Sequence, residues 1–270
     1  MITHDSQLFN LSYLDTLSRG ESALHRIDAR AKVLTFVFFI CTVVSFGKYE
    51  ISALLPFFLF PAVMIGIGGL PAGYLLRKIA ILLPFALLIG IANPLFDREA
   101  LVRLGPVGLS GGWISFFSIL LRFSLTALAA LVLIAITGFL GVCAALDRLG
   151  LPRIFTVQLL FVYRYLFVLT DEAGRMSRAR ELRSFGLRPM PLATFWSLAG
   201  CLLLRTIDRA QRIYLAMVSR GFTGRLPVRT PRGFGGSDAA FAAGWCAAFI
   251  FLRLVNLPQA LGRIIEGLIA

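Results

Sequence analysis

A basic insert in an otherwise apolar chain begins Asp171-Glu172-Ala173-Gly174-Arg175-Met176-Ser177-Arg178-Ala179-Arg180-Glu181-Leu182-Arg183-Ser184-Phe185-Gly186. The insert, residues 171–232, holds 12 Arg against four acidic residues, a balance of +8. Cytoplasmic loops of membrane proteins collect Lys and Arg, so this charge predicts that the insert lies in the cytoplasm.

The composition of the whole chain is that of an integral membrane protein. Of its 270 residues, 58% are hydrophobic and 15% are charged, whereas soluble domains average about 45–50% apolar and about 25% charged residues. The net charge of +13 fits the positive-inside rule. No basic soluble module with groove-reading elements accompanies this charge, so we expect no nucleic-acid partner.

Apolar segments on both sides of the insert resemble membrane helices. Four precede the insert and one follows it, and they are residues 33–46, 51–70, 79–96, 113–146 and 239–257. Arg26, Arg30 and Lys32 flank the first segment and predict a cytoplasmic N-terminus. The predicted fold is an all-α integral membrane protein with about five transmembrane helices and a cytoplasmic domain of long amphipathic helices.

The boundaries of these parts follow from the same pattern. Residues 1–32 form a cytoplasmic N-terminal segment, 33–146 hold transmembrane helices 1–4, 147–232 are cytoplasmic, and 239–257 form transmembrane helix 5. Residues 154–170 are apolar as well, but a fifth crossing there would place the basic insert outside the cell. We therefore predict that they form an interfacial or buried helix.

Three local features of the apolar segments carry further expectations. Asp28 precedes the first helix and can serve as its N-cap. The segment 113–146 is too long for one span, which predicts a projecting helix or a break near Gly138 or Gly141. Arg122 either snorkels to the lipid head groups or contacts another membrane subunit, and the sequence leaves both readings open.

The insert itself is predicted to form two long helices, residues 171–186 and 192–220. Asp171 and Arg175 are spaced as a helical ion pair. The second helix sorts into an apolar stripe beside a basic one, with the members Leu198, Leu202, Arg205, Arg209, Ile213 and Met217.

Each of these helices ends with an arginine and then a glycine. Gly186 and Gly221 fall where a C′ glycine belongs. Arg183 and Arg220 lie in the last turns, where a cation complements the helix dipole. Alternatively, each arginine is exposed and forms a fork onto a carboxylate or carbonyl of another protein. Physical reasoning alone leaves both roles open.

The sequence carries no recognisable catalytic motif. It lacks a G-x-x-x-x-G-K-[ST] phosphate loop, an H-E-x-x-H motif, and any paired-carboxylate or Ser/His/Asp constellation. Its cysteines and histidines do not show the spacing of a metal site. We expect no catalytic residue, no metal site and no cofactor bound by this chain.

The motifs resemble those of the transmembrane (T) components of energy-coupling factor ABC transporters, the CbiQ/EcfT family, over nearly the whole chain. The N-terminal run resembles that family's S-x-L-H-x-L-D-P-R-x-K motif, with Ala29 where proline is common. The runs concerned are Ser22-Ala23-Leu24-His25-Arg26-Ile27-Asp28-Ala29-Arg30-Ala31-Lys32, Leu149-Gly150-Leu151-Pro152 and Tyr163-Arg164-Tyr165-Leu166-Phe167-Val168-Leu169, the last followed by Glu172.

The most specific resemblance is a pair of three-residue motifs with a central arginine. The second motif, Ser219-Arg220-Gly221, fits the family well. The first, Leu182-Arg183-Ser184, departs from it, because the family often has Ala-Arg-Gly or a close variant there. The resemblance implies that these six residues couple the chain to two ABC-type ATPase subunits, which bind and hydrolyse the ATP.

The resemblance also implies a second partner and a location. The T component passes the movement of the ATPases to a substrate-binding membrane subunit, here of the metal type, in the bilayer of the bacterial inner membrane. The motifs look most like the cobalt-transport branch, with nickel, biotin or another vitamin as alternative cargoes. A membrane enzyme and a scaffold protein are the competing classes of function.

Overall fold

The computed structural model describes residues 15–18, 20, 22–47, 49–96, 100–104, 107–184, 191–224 and 233–255. These residues are mainly helical, which confirms the predicted all-α membrane class. The helices are α1 Ala29–Val44, α2 Ile51–Gly68, α3 Ala72–Gly90, α4 Ala92–Phe96, α5 Gly111–Thr137, α6 Phe139–Arg148, α7 Arg153–Arg183, α8 Leu192–Ser219 and α9 Gly236–Leu254. Within α2, residues Leu55–Phe58 form a 3₁₀ turn that contains Pro56.

Five of the described helices are long and apolar enough to cross a membrane, as predicted, but they are not the five expected. They are α2, α3 with its extension to Pro94, α5, α7 and α9. The first predicted span forms α1, whose 16 residues rise only about 24 Å. Helix α7, predicted to start as an interfacial or buried helix, is a continuous 31-residue helix. The side of the bilayer on which its basic end lies stays a prediction.

The stretch between the third and fourth predicted apolar segments contains a short antiparallel hairpin. Its strands are β1 Ala100–Leu104 and β2 Val107–Ser110, with Leu104 opposite Val107 and Ala100 opposite Ser110. This hairpin is a local addition to the helical fold, because the two strands pair with each other.

The described residues divide into two compact units. The core unit comprises residues 15–142 and 233–255, and the insert unit comprises residues 143–184 and 191–224. The core unit contains α1 to α5 and α9. The insert unit contains α7 and α8.

A cluster of aromatic rings fills the centre of the core unit. The Phe39 ring of α1 lies 4.7 Å from the Phe60 ring of α2 and 5.3 Å from the Phe249 ring of α9. Leu125 and Val132 of α5 are fully buried in the same cluster. In a bilayer, helices associate mainly through such close packing, and each aromatic pair contributes about 0.5–1.5 kcal/mol beyond area burial.

Polar groups at the start of α1 find partners within α1 and on two other helices. Asp28 caps the helix, as predicted, by accepting a bond from the backbone N–H of Arg30 at 2.9 Å. Its own N–H donates to the carboxylate of Asp238, 3.0 Å away, at the start of α9. Lys32 is only 3% exposed and donates from Nζ to the carbonyl of Ile136 at 3.3 Å. The start of α1, the end of α5 and the start of α9 are therefore joined.

Two arginines hold the other end of α1. Arg253 of α9 donates to the Ser45 carbonyl at 3.0 Å, and its guanidinium lies 4.0 Å from the centroid of the Phe46 ring. Arg122 of α5 donates to the carbonyl of Gly47. Arg122 thus binds a carbonyl within the chain and supports the end of α1, and the two roles left open for it stay predictions.

The long fourth segment breaks at the first of its two predicted positions. Gly138 separates α5 from α6 and adopts a φ of +70°. A Cβ at this position would lie 2.7 Å from Ser18 Oγ. Both the left-handed backbone and the close approach of Ser18 therefore require glycine here.

Replacing Gly138 by alanine should destabilise the core unit. The left-handed conformation costs an L-residue about 1–2 kcal/mol, and the contact with Ser18 adds to it. We expect the midpoint of thermal denaturation in mild detergent to fall by about 3–8 °C. Gly66→Ala is the control, because Gly66 is helical with open space around its Cβ position. An equal effect of the two substitutions would contradict this explanation of the break.

Candidate functional site

The first arginine motif lies at the end of α7. Arg183 is the last residue of the helix, and Ser184 caps it by donating its N–H to the carbonyls of Arg180 at 3.0 Å and Glu181 at 3.2 Å. The Ser184 hydroxyl also donates to the Glu181 carbonyl at 3.1 Å. Leu182 is 80% exposed and Arg183 is exposed. The predicted C′ glycine, Gly186, lies outside the described residues.

The second motif forms a complete C-terminal cap on α8. Ser219 is the last helical residue, Arg220 is the cap, and Gly221 follows in the left-handed conformation with a φ of +76°. The N–H of Phe222 donates to the Met217 carbonyl at 3.0 Å, and the N–H of Gly221 donates to the Val218 carbonyl at 2.9 Å. These two bonds define a Schellman motif. The prediction that Gly221 occupies the C′ position is confirmed.

The two motif arginines share an environment that leaves their guanidinium groups available. Both are exposed, and neither forms a salt bridge with an acidic residue that the structure describes. The backbone at each helix end is satisfied by its own cap, so neither side chain is needed there as a hydrogen-bond donor. The helix dipole still favours a cation at these positions. The ends of α7 and α8 thus each present an exposed guanidinium that has no acidic partner among the described residues.

One carboxylate connects α7 to α8. Glu172 of α7 accepts from Arg205 Nη1 of α8 at 2.6 Å and from Arg175 Nη2 at 2.5 Å. The bond to Glu172 raises the pKa of Arg205 above its ordinary value, so this arginine stays charged. The prediction that Arg175 pairs with Asp171 is wrong. Arg175 pairs with Glu172 instead, at the i,i+3 spacing that also brings two helical side chains together.

Helix α8 leaves much of its apolar surface uncovered. The predicted apolar stripe, which includes Leu198, Leu202, Ile213 and Met217, is half-buried. A second apolar face, which the sequence analysis missed, is exposed and contains Trp196, Leu203, Ile207, Tyr214 and Val218. No residue of α8 is fully buried. These residues are spaced four and seven positions apart, which is the same helical periodicity as that of the first stripe. This periodicity could have revealed the face in the sequence.

The described residues contain no group of three or more His, Cys, Asp or Glu side chains that could hold a metal ion. The site that the structure does present is a set of charged and apolar side chains on two helices. Such a site is suited to binding another protein rather than to bond making or breaking.

Comparison with known proteins identifies relatives over most of the chain. The family model CbiQ, described as cobalt transport protein, matches residues 20–231. A "Cobalt transport protein CbiQ" from Salmonella typhimurium is 33% identical over 149 residues, which cover 48% of this chain and 64% of the relative. An uncharacterized protein from Methanocaldococcus jannaschii is 24% identical over 226 residues, 79% of this chain and 76% of the relative.

A further relative is described as a fused protein. The "Putative fused cobalt transport protein CbiMQ" of Methanocorpusculum labreanum is 27% identical over 120 residues, 44% of this chain and 19% of the relative. The chain therefore spans less than two thirds of the length of the Salmonella and Methanocorpusculum relatives.

Gly221→Ala should loosen the end of α8 without unfolding the chain. Nothing lies within 4 Å of an added Cβ, so the cost is the left-handed backbone alone, about 1–2 kcal/mol. We expect hydrogen exchange at the backbone amides of positions 221 and 222 to become roughly tenfold faster, because both amides donate the hydrogen bonds of the Schellman motif. Gly200→Ala, in open space in the middle of the same helix, should leave these amides unchanged. Equal exchange in both variants would show that the cap does not depend on glycine.

Proposed function

The chain belongs to the CbiQ family of cobalt transport proteins, and from this membership we propose that it is the membrane coupling subunit of an energy-coupling factor importer. In this role the chain holds the transporter in the bilayer and transmits movement. The ATPase subunits supply the energy, and a separate membrane subunit binds the cargo. The chain itself is proposed to be non-catalytic.

One observation carries the proposal: two neighbouring helices each end in an exposed arginine on a well-capped backbone, and neither arginine forms a salt bridge with a described acidic residue. Arg183 ends α7 and Arg220 caps α8. A guanidinium can form two parallel hydrogen bonds with a carboxylate or with carbonyl oxygens. Two such groups on stiff helices suit attachment to a pair of ATPase subunits, one arginine for each.

Helices are better suited than loops to transmit a displacement from this attachment point. A helix keeps its end in a fixed relation to its length, so a displacement at Arg183 or Arg220 is carried along α7 or α8. Glu172 links the two helices through Arg205. We propose that the ATPases bring about a joint movement of this helix pair when they bind ATP.

The exposed apolar face of α8 supports a second partner. A face with Trp196, Leu203 and Ile207 exposed is of the kind that marks a protein or membrane contact. The relative described as a fused cobalt transport protein supports an assembly with another transport component. We propose that this partner is the substrate-binding membrane subunit and that the cargo is cobalt.

Reversing both motif charges should abolish coupling. In Arg183→Glu plus Arg220→Glu, each guanidinium fork is replaced by a carboxylate that repels an acidic or carbonyl partner. We expect the ATPase subunits to be lost from the complex purified in mild detergent, and cobalt uptake by cells to fall at least about tenfold.

The matched control is Arg178→Glu plus Arg209→Glu, which makes the same charge change on exposed residues of the same two helices. This control should retain the ATPases and most of the uptake. Full uptake in the motif variant would show that the two helix ends do not couple. Identification of the retained subunits by mass spectrometry tests the cargo separately, because a vitamin-binding subunit in place of a metal-type subunit would leave the coupling role and refute cobalt.

The proposed orientation predicts where a native thiol can be labelled. Cys201 is exposed on α8, and we propose that α8 lies in the cytoplasm because of the positive charge of the insert. A membrane-impermeant maleimide should label Cys201 in inside-out vesicles and leave it unlabelled in intact spheroplasts. Cys201→Ser identifies the labelled residue. Labelling in intact spheroplasts would place α8 outside the cytoplasm and refute the proposed orientation.

A further inference from the structure

A cleft between α7 and α8 is lined by an unusual concentration of arginine. Its volume is about 570 Å³, within the range of about 300–1,000 Å³ that small-molecule sites occupy. Four of its ten lining residues are arginines and one is an acid. These five charged residues are Glu172, Arg175, Arg180, Arg183 and Arg205.

The residues that the structure describes do not balance the positive charge in this cleft. Four arginines and one glutamate leave a net charge of +3 among the lining residues. Glu172 already uses one carboxylate oxygen on Arg205 and the other on Arg175. Arg180 and Arg183 have no salt-bridge partner among the acidic residues that the structure describes. The cleft therefore contains two guanidinium groups that have no counter-charge among the described residues.

The donors that remain favour a phosphate group. Each guanidinium has five N–H donors, so Arg175 and Arg205 keep free donors after pairing with Glu172. Guanidinium groups bind phosphate through two parallel, charge-assisted hydrogen bonds. Several weakly hydrated guanidinium groups around one small volume can replace part of the hydration shell of a phosphate.

Apart from the polar side chain of Ser184, the remaining wall of the cleft is apolar. Met176 and Ala179 of α7 and Leu198 of α8 line it together with Cys201. An inorganic phosphate has no apolar surface that could be buried against this wall. The glycerol backbone and first methylene groups of a phospholipid can lie against it. The cleft therefore matches an amphiphile with an anionic head.

The position of the cleft along α7 fits a lipid. Helix α7 contains an 18-residue stretch that is apolar enough for a bilayer. Beyond the apolar segment 154–170, Arg175 lies roughly 7 Å and Arg180 roughly 15 Å further along the helix axis. Arginines just beyond an apolar segment lie at the level of the lipid head groups. We propose that this cleft is a binding site for the phosphate head of an anionic phospholipid. The proposal does not depend on the ATPase-coupling function.

Native mass spectrometry of the full-length chain in detergent can test the site, with dioleoyl phosphatidylglycerol and dioleoyl phosphatidylcholine as the probes. We expect at least one phosphatidylglycerol to be retained in preference to phosphatidylcholine. Arg180→Gln plus Arg205→Gln should weaken this retention about tenfold or more, because each charge-assisted hydrogen bond contributes substantially to the free energy of lipid binding. Arg183 belongs to the proposed coupling motif and stays unchanged.

The matched control is Arg178→Gln plus Arg209→Gln, which removes two exposed arginines of the same helices that do not line the cleft. This control should bind phosphatidylglycerol like the unaltered chain. If the double variant does not fold, the single variant Arg180→Gln serves for the same test. It breaks no ion pair among the described residues, whereas the change at Arg205 removes the bridge to Glu172. Equal retention of the two lipids, or an equal loss in the control and cleft variants, would overturn the proposal.

Inorganic phosphate separates the two possible sources of the anion. If millimolar phosphate displaces phosphatidylglycerol completely and the cleft variants lose phosphate binding as well, the site is one for a free phosphate and the lipid assignment is wrong. If phosphate at that concentration leaves the lipid bound, the apolar wall contributes to binding and the lipid assignment stands.

Discussion

The hydrogen bond from the buried ammonium of Lys32 to the carbonyl of Ile136 illustrates the constraint on which the core unit depends. Polar groups inside a membrane protein must find their partners within the protein, because lipid offers none. Helix α1 is short, and both of its ends carry polar groups. Asp28, Lys32 and fully buried Asp238 satisfy one end, and Arg122 with Arg253 satisfies the other. The aromatic cluster between these ends can then pack closely.

The insert unit contrasts with the core unit, because few of its described residues are buried. No residue of α8 is fully buried, and Thr156 alone is fully buried in α7. Surface ion pairs contribute little to stability, typically about 0–1 kcal/mol, so the Glu172 bridge positions the two helices more than it stabilises them. So little internal packing leaves much of the surface of this helix pair uncovered by the described residues. The proposed ATPases, the substrate-binding subunit and lipid each account for part of that uncovered surface.

The sequence predicted the features that depend on neighbouring residues. The cap by Asp28, the break at Gly138, the C′ position of Gly221 and the apolar stripe of α8 all follow from local backbone chemistry or helical spacing. The contacts that it did not predict join residues far apart in the chain. Asp238 binds the Asp28 amide across 210 positions, Arg122 binds Gly47 across 75, and Arg205 binds Glu172 across 33. Periodicity shows which face of a helix is apolar, but it does not show which partner satisfies a polar side chain.

Fold and proposed function are carried by different residues, and the reason is physical. A residue that has found its partner inside the chain, as Lys32 and Asp238 have, cannot offer the same atoms to another protein without leaving a buried polar group unsatisfied. Arg183 and Arg220 are free of that obligation, because the capped backbone at each helix end needs nothing from their side chains. A force applied at these two groups therefore acts on a helix end that is already stable. The same separation means that a loss of coupling can be distinguished from a loss of folding.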